Sequence, residues 1–135
     1  MKFTFNIFLL FIFALLYLSS CDNNVAIGDQ STIIFPTDKP VSFQDHINPF
    51  VKQKCAYSGC HSDYSRAGGR RFTDYYTYFE TANLGFVIGG NPDASLFMQV
   101  LDGRNPHLLN YRIANPTQNQ IDGVKAWIKL GAILN

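Results

Sequence analysis

The chain has 135 residues, 47% of them hydrophobic and 16% charged, with eleven Lys plus Arg against ten Asp plus Glu. This length allows one core and no second domain of ordinary size. The near-zero net charge argues against a nucleic-acid binder, and against a polybasic patch that would hold the chain to anionic lipid by itself.

Residues 1–20 carry one lysine, no acid and five of the twelve phenylalanines, with an apolar run from Ile7 to Leu18. That run is shorter than the roughly 20 residues a permanent membrane helix needs, so it reads as a cleaved leader. Leu18-Ser19-Ser20-Cys21 resembles the bacterial lipobox. The resemblance implies cleavage before Cys21, lipidation of its thiol and new amino group, and therefore a stable multi-chain anchor at a membrane surface. The alternative is an ordinary secretory leader with Cys21 a stray thiol. Residues 21–40 are mostly polar, hold two prolines and show no sustained periodicity, so they are expected to be a flexible tether, with Ile33 to Phe35 able to pack back. The folded unit is expected at 41–135.

Phe43, Ile47, Phe50 and Val51 fall at i, i+4, i+7 and i+8, one stripe of a helix. Ser42 precedes it as N-cap with Asp45 three residues on. Pro49 inside the pattern predicts a kink or a late start, with Pro49 to Lys54 the firm part. Thr73 to Ala82 holds Tyr75, Tyr76, Tyr78 and Phe79 and suits a helix or, by propensity, a strand. Asn91-Pro92-Asp93 reads as N-cap, N1 proline and first-turn acid of a short helix carrying Leu96, Phe97, Val100 and Leu101 and stopped by Gly103. Thr117 and Gln120 form a capping box ahead of Ile121, Val124, Trp127 and Ile128, with Gly131 closing the run. The fold class is therefore all-α, about four short helices with long connections at Leu84 to Gly90 and Asp102 to Pro116. So little regular structure makes a thin core, and long connections of this kind usually carry function.

Cys55-Ala56-Tyr57-Ser58-Gly59-Cys60-His61 is the stretch with chemistry in it. The common haem-attachment sequence is C-x-x-C-H, where two thiols add to porphyrin vinyl groups and the histidine is the proximal iron ligand. Here the thiols are separated by four residues, and Gly59 lends the wider loop its freedom. Two other readings stay open on these residues alone: a Cys55–Cys60 disulfide in an exported protein, and zinc held by Cys55, Cys60, His61 and either His46 or His107.

The order of elements resembles the class I cytochrome c fold, closest to the small cytochrome c-like domains of planctomycetes and Bacteroidetes. Ile47-Asn48-Pro49-Phe50-Val51 leads to Cys55 through His61. Gly90-Asn91-Pro92-Asp93-Ala94-Ser95-Leu96 follows, and then Gln120-Ile121 and Trp127 to Ala132. The resemblance covers Val41 to Leu134. It implies a haem c bound through Cys55 and Cys60 with His61 as proximal ligand. It also implies electron exchange with redox partner proteins, in the cell envelope, facing the periplasm or exterior.

The family places a methionine ligand in the loop before the last helix, whereas this chain has Leu108 there. Three outcomes follow: His107 as distal ligand, an open sixth position, or recruitment of Met98 or His46, of which His107 is favoured. Arg70 and Arg71 could pair with haem carboxylates, and the tyrosines of 73–82 could wall the ring. There are no paired carboxylates, no Ser-His arrangement and no phosphate loop, so the chain is not expected to be an enzyme. The expected function is a lipid-anchored monohaem electron carrier. A haem-free interaction lipoprotein or a five-coordinate haem sensor are the alternatives.

Overall fold

Residues 33–107 and 115–135 are described by a computed structural model. The leader 1–20, the lipidation candidate Cys21, tether residues 22–32 and Leu108 lie outside them. Among the described residues the regular structure is helical, without strands, and no helix is long and apolar enough to cross a membrane.

The first helical segment shows how a chain accommodates an internal proline. Ser42 caps it as expected, its hydroxyl accepting from the Asp45 N–H at 3.1 Å. Phe43–Ile47 then winds as a π turn, with Ile47 N–H donating to the Ser42 carbonyl at 3.3 Å and Asn48 N–H reaching the Phe43 carbonyl. The wide turn puts Pro49 in the first turn of α1, Asn48–Lys54, where its missing N–H leaves no gap in the ladder. Phe43, Ile47, Phe50 and Val51 are all buried, so the apolar stripe survives the change of pitch.

Thr73 to Ala82 forms neither one helix nor a strand. Asp74 Oδ1 accepts from the Tyr76 and Thr77 N–H groups at 2.9 and 3.2 Å, and two 3₁₀ turns follow, Tyr76–Phe79 and Thr81–Asn83. The helix expected from Asn91 begins later, as α2, Leu96–Leu101. Asn91 caps only a turn, accepting from Ala94 N–H, while the buried Ser95 hydroxyl binds the backbone of Ile88 and Asn91 and ties the middle loop to the helix start. The last helix, α3, Gln118–Lys129, has the full capping box: Thr117 Oγ1 accepts from Gln120 N–H, and Gln120 Oε1 from Thr117 N–H. Three α-helices, rather than about four, are thus present among the described residues.

Ile33 and Phe35 pack against the unit expected at 41–135. Phe35 is 1% exposed, lies over Gly123 of α3, and meets the Phe50 ring edge-on at 5.7 Å. Its backbone is held on both sides by one amide: Phe35 N–H donates to Asn119 Oδ1 at 2.8 Å and Asn119 Nδ2 donates to the Phe35 carbonyl at 3.0 Å. Gln120 Nε2 adds a bond to the Ile33 carbonyl at 2.9 Å. Phe35, the partly buried Ile33 and two amides fix this strap, which is why a mostly polar stretch is nevertheless packed on the fold. At the other end, Asn135 supplies the donors and acceptors that the first helical turn needs, accepting from Phe43 N–H at 2.8 Å and donating to the Val41 carbonyl.

Gly123 is where the strap and α3 touch, because a Cβ there would overlap the Phe35 ring. Phe35→Ala is expected to cost about 3–5 kcal/mol, and Gly123→Ala about 1–3 kcal/mol through overpacking. In the Phe35→Ala background, Gly123→Ala should reverse sign and stabilise by up to about 1 kcal/mol, because alanine is the better helix former once the ring is gone. Urea denaturation of the four proteins checks this, and equal effects of Gly123→Ala in both backgrounds would contradict the contact.

Candidate functional site

Cys55 follows directly on α1, and its N–H closes the helix on the Val51 carbonyl at 2.8 Å. The loop then turns at Gly59, whose φ of +91° only glycine adopts without strain and whose N–H donates to Ser65 Oγ at 2.8 Å. His61 N–H comes back to the Cys55 carbonyl at 3.0 Å. The four-residue spacer is therefore a closed loop that brings Cys55, Cys60 and His61 to one wall. Both cysteines are free and, taken as whole residues, half-buried. Burial pushes the Cys55 thiol up to about 12, the neighbouring Cys60 adding to the effect and Lys54 opposing it.

His61 is nearly buried, and its Nδ1 lies 3.2 Å from the Arg70 carbonyl. A proton on Nδ1 makes that bond and leaves the Nε2 lone pair free, the usual way a backbone carbonyl fixes a metal-binding tautomer. Burial lowers the His61 pKa, with the Arg70 carbonyl working against it. The ring is thus neutral at pH 7, the form that can bind a metal.

The wall opens on a cavity of about 680 Å³, a size within the roughly 300–1,000 Å³ of small-molecule and cofactor sites. Cys55, Cys60, His61 and His107 all line it. The rings of His61 and His107 lie 5.7 Å apart between centres and 20° from parallel. Two imidazoles on opposite sides of one metal ion have ring centres about 6 Å apart, given metal–nitrogen bonds of about 2 Å. Among the described residues no group of three or more His, Cys, Asp or Glu side chains converges as a metal would require, so the zinc reading lacks its donor set.

The rest of the lining is apolar. Phe72, Phe86 and Phe97 form its aromatic part, with Phe72 and Phe86 stacked at 3.8 Å and 11°, and Phe86 and Phe97 at 4.9 Å. Leu96, Val100 and Leu101 present the outer face of α2, while Phe97 and Met98 go to the core. These walls are not the ones expected from the sequence. Of the four aromatics at 73–82, Tyr78 is core, Tyr75 is half-buried with its hydroxyl on the Ala132 carbonyl, and Tyr76 and Phe79 are exposed. The phenylalanines that do line the site sit singly in loops or on the inner face of α2, where no periodicity singles them out. The i, i+4 pair Leu96 and Val100 was the one signal available.

Other expected residues separate in the same way. Arg71 is taken up by Glu80, with Nε and Nη2 at 3.3 and 3.2 Å from its carboxylate oxygens, and by Asp63 at 3.2 Å. Arg70 lines the cavity, and its guanidinium meets no acid among the described residues. Met98 is 2% exposed in the core and is not part of the cavity wall. His46 faces elsewhere, its Nδ1 accepting from Ser42 N–H and its ring beside Phe35. No protein-family model, no curated protein and no solved structure matches this chain.

The raised Cys55 pKa has a chemical consequence in the reduced protein. At pH 8 only about one Cys55 sulfur in ten thousand is thiolate, the reactive form, when the pKa is about 12. Alkylation of Cys55 by iodoacetamide, followed by peptide mass spectrometry, should still rise about tenfold between pH 9 and pH 10. A rise of only about twofold over that interval would show an unshifted thiol.

Proposed function

We propose that this protein is a monohaem c-type cytochrome, held at a membrane surface through a lipidated Cys21, that passes single electrons between partner proteins outside the cytoplasm. One juxtaposition supports the reading above all others. Both cysteines of the C-x4-C-H loop, the adjacent His61 and the facing His107 border one apolar cavity of about 680 Å³.

These groups fit a covalently attached haem c, and each has a definite task. Cys55 and Cys60 supply the two thioether links. His61, its tautomer set by the Arg70 carbonyl, offers Nε2 to the iron. His107 supplies the second imidazole, from the side where the family pattern has methionine and this chain has Leu108. Phe72, Phe86, Phe97 and the outer face of α2 keep water from the ring, and Arg70 is the cation available to a carboxylate. When bound, the group supplies a one-electron ferric/ferrous couple; the protein positions it and sets its electronics. A second imidazole in place of a thioether favours ferric iron and lowers the potential.

The full chain, made in a host with cytochrome c maturation, should retain a haem spectrum after denaturation. Cys55→Ser with Cys60→Ser should lose it. Absence of retained haem from the unaltered protein would sink the reading and favour a haem-free lipoprotein. In the ferrous state the unaltered protein should bind carbon monoxide weakly, and His107→Ala should bind it readily. Equally ready binding by both would remove His107 from the iron and favour a five-coordinate sensor.

A further inference from the structure

Two apolar side chains stand in water on the face that the strap shares with α3. Ile34 of the strap is 74% exposed, and Leu130, which closes α3, is 59% exposed. The strap runs along the helix: Phe35 is held at Asn119, and residues 36–41 share a shallow groove with Asn119, Asp122, Ala126 and Leu130. From Gln120, which binds the Ile33 carbonyl, to Leu130 the helix rises about 15 Å. The exposed Pro40 and Ala126 add apolar surface to the same groove. Charge is balanced here, since Asp38 and Asp122 offset Lys39 and Lys129, while Lys125 acts on Asp102 at the end of α2. No residue of the groove borders the apolar cavity.

The lipidated Cys21 of the reading under Proposed function, on which this inference rests, gives the face an occupant. Eleven residues, 22–32, separate Cys21 from Ile33, so Ile33 is never more than about 40 Å from the lipid. A domain of about 100 residues is itself about 35 Å across. The surface around Ile33 is therefore the part of the domain kept nearest the membrane. Leu84, as exposed as Ile34, lies on the middle connection instead of the strap. Fully burying one leucine-sized side chain favours the buried state by about tenfold or more. More than half of that gain is left unrealised by Ile34 and Leu130 in water.

We propose that the strap and the outer side of α3 form a membrane-docking face, with Ile34 and Leu130 inserted among phospholipid headgroups and the cavity left open to redox partners. The acyl chains hold the protein; this face gives it a direction. Contacts of this kind enter the headgroup layer by about 5–10 Å. The balanced charge makes a neutral lipid sufficient.

The test uses the full lipidated chain in phosphatidylcholine vesicles, with the photoreactive p-benzoylphenylalanine placed singly in place of Ile34, Leu84 or Leu130. After illumination, mass spectrometry counts lipid adducts. Adducts from positions 34 and 130 should exceed those from position 84 by about tenfold. Ile34→Asp should cut the adducts formed from position 130 by a similar factor. Equal yields from all three positions overturn the proposal and leave the lipid anchor standing. Adducts from 34 and 130 to a second copy of the chain, in place of lipid, also overturn it and assign the face to self-association. A chain without acyl groups on Cys21, or one that does not float with the vesicles, overturns the anchor and this inference together.

Discussion

Phe72, Phe86 and Phe97 come from three parts of the chain that share no regular structure, and their stack is what makes those parts one object. Phe72 ends the loop that begins at His61, Phe86 lies in the middle connection, and Phe97 opens α2. Their rings stand 3.8 and 4.9 Å apart in sequence, and Phe97 reaches Phe50 of α1 at 6.4 Å. Aromatic pairs contribute about 0.5–1.5 kcal/mol each beyond the area they bury. Behind the stack Tyr78, Phe43 and Trp127 form the closed part of the core. In front of it lies the cavity. The same three side chains thus finish the hydrophobic centre on one face and leave an apolar wall on the other.

This two-sided use explains why so few helical residues suffice. The backbone between Phe72 and Leu96 is held by local bonds: Phe72 N–H to the His61 carbonyl, Phe97 N–H to the Phe86 carbonyl, and Gly90 N–H to the Ile128 carbonyl at the end of α3. Each bond is modest by itself. Together they set the Cys55-to-His61 loop, the middle connection and α2 in a fixed order around the cavity, and the site depends on that order more than on any one element.

What could be read from the sequence was whatever carries its signal within a few residues. The capping box at Thr117 and Gln120, the Ser42 cap and the stripe through Val51 are local and are present as expected. The Cys55-to-His61 loop is local too, and its residues do share a wall with His107. Signals that needed a distant partner failed. Asn91-Pro92 has the form of a helix start, but Ser95 spends its hydroxyl on the middle loop, and the helix waits until Leu96. Arg70 and Arg71 are indistinguishable by type, and Glu80 and Asp63 decide which of them remains for the cavity. The Ile33-to-Phe35 patch does pack back, but the bare surface of Gly123 that receives the Phe35 ring lies far along the chain and is not marked in the sequence.

The clamp of Asn119 and Gln120 on Phe35 and Ile33 also couples the strap to the cavity through the start of α3. The backbone bonds of the strap end on the first turn of α3, while its Phe35 ring also meets Phe50 of α1. That turn directly follows Pro116, which belongs to the cavity wall. The strap thus shares its anchorage with an element that borders the cavity.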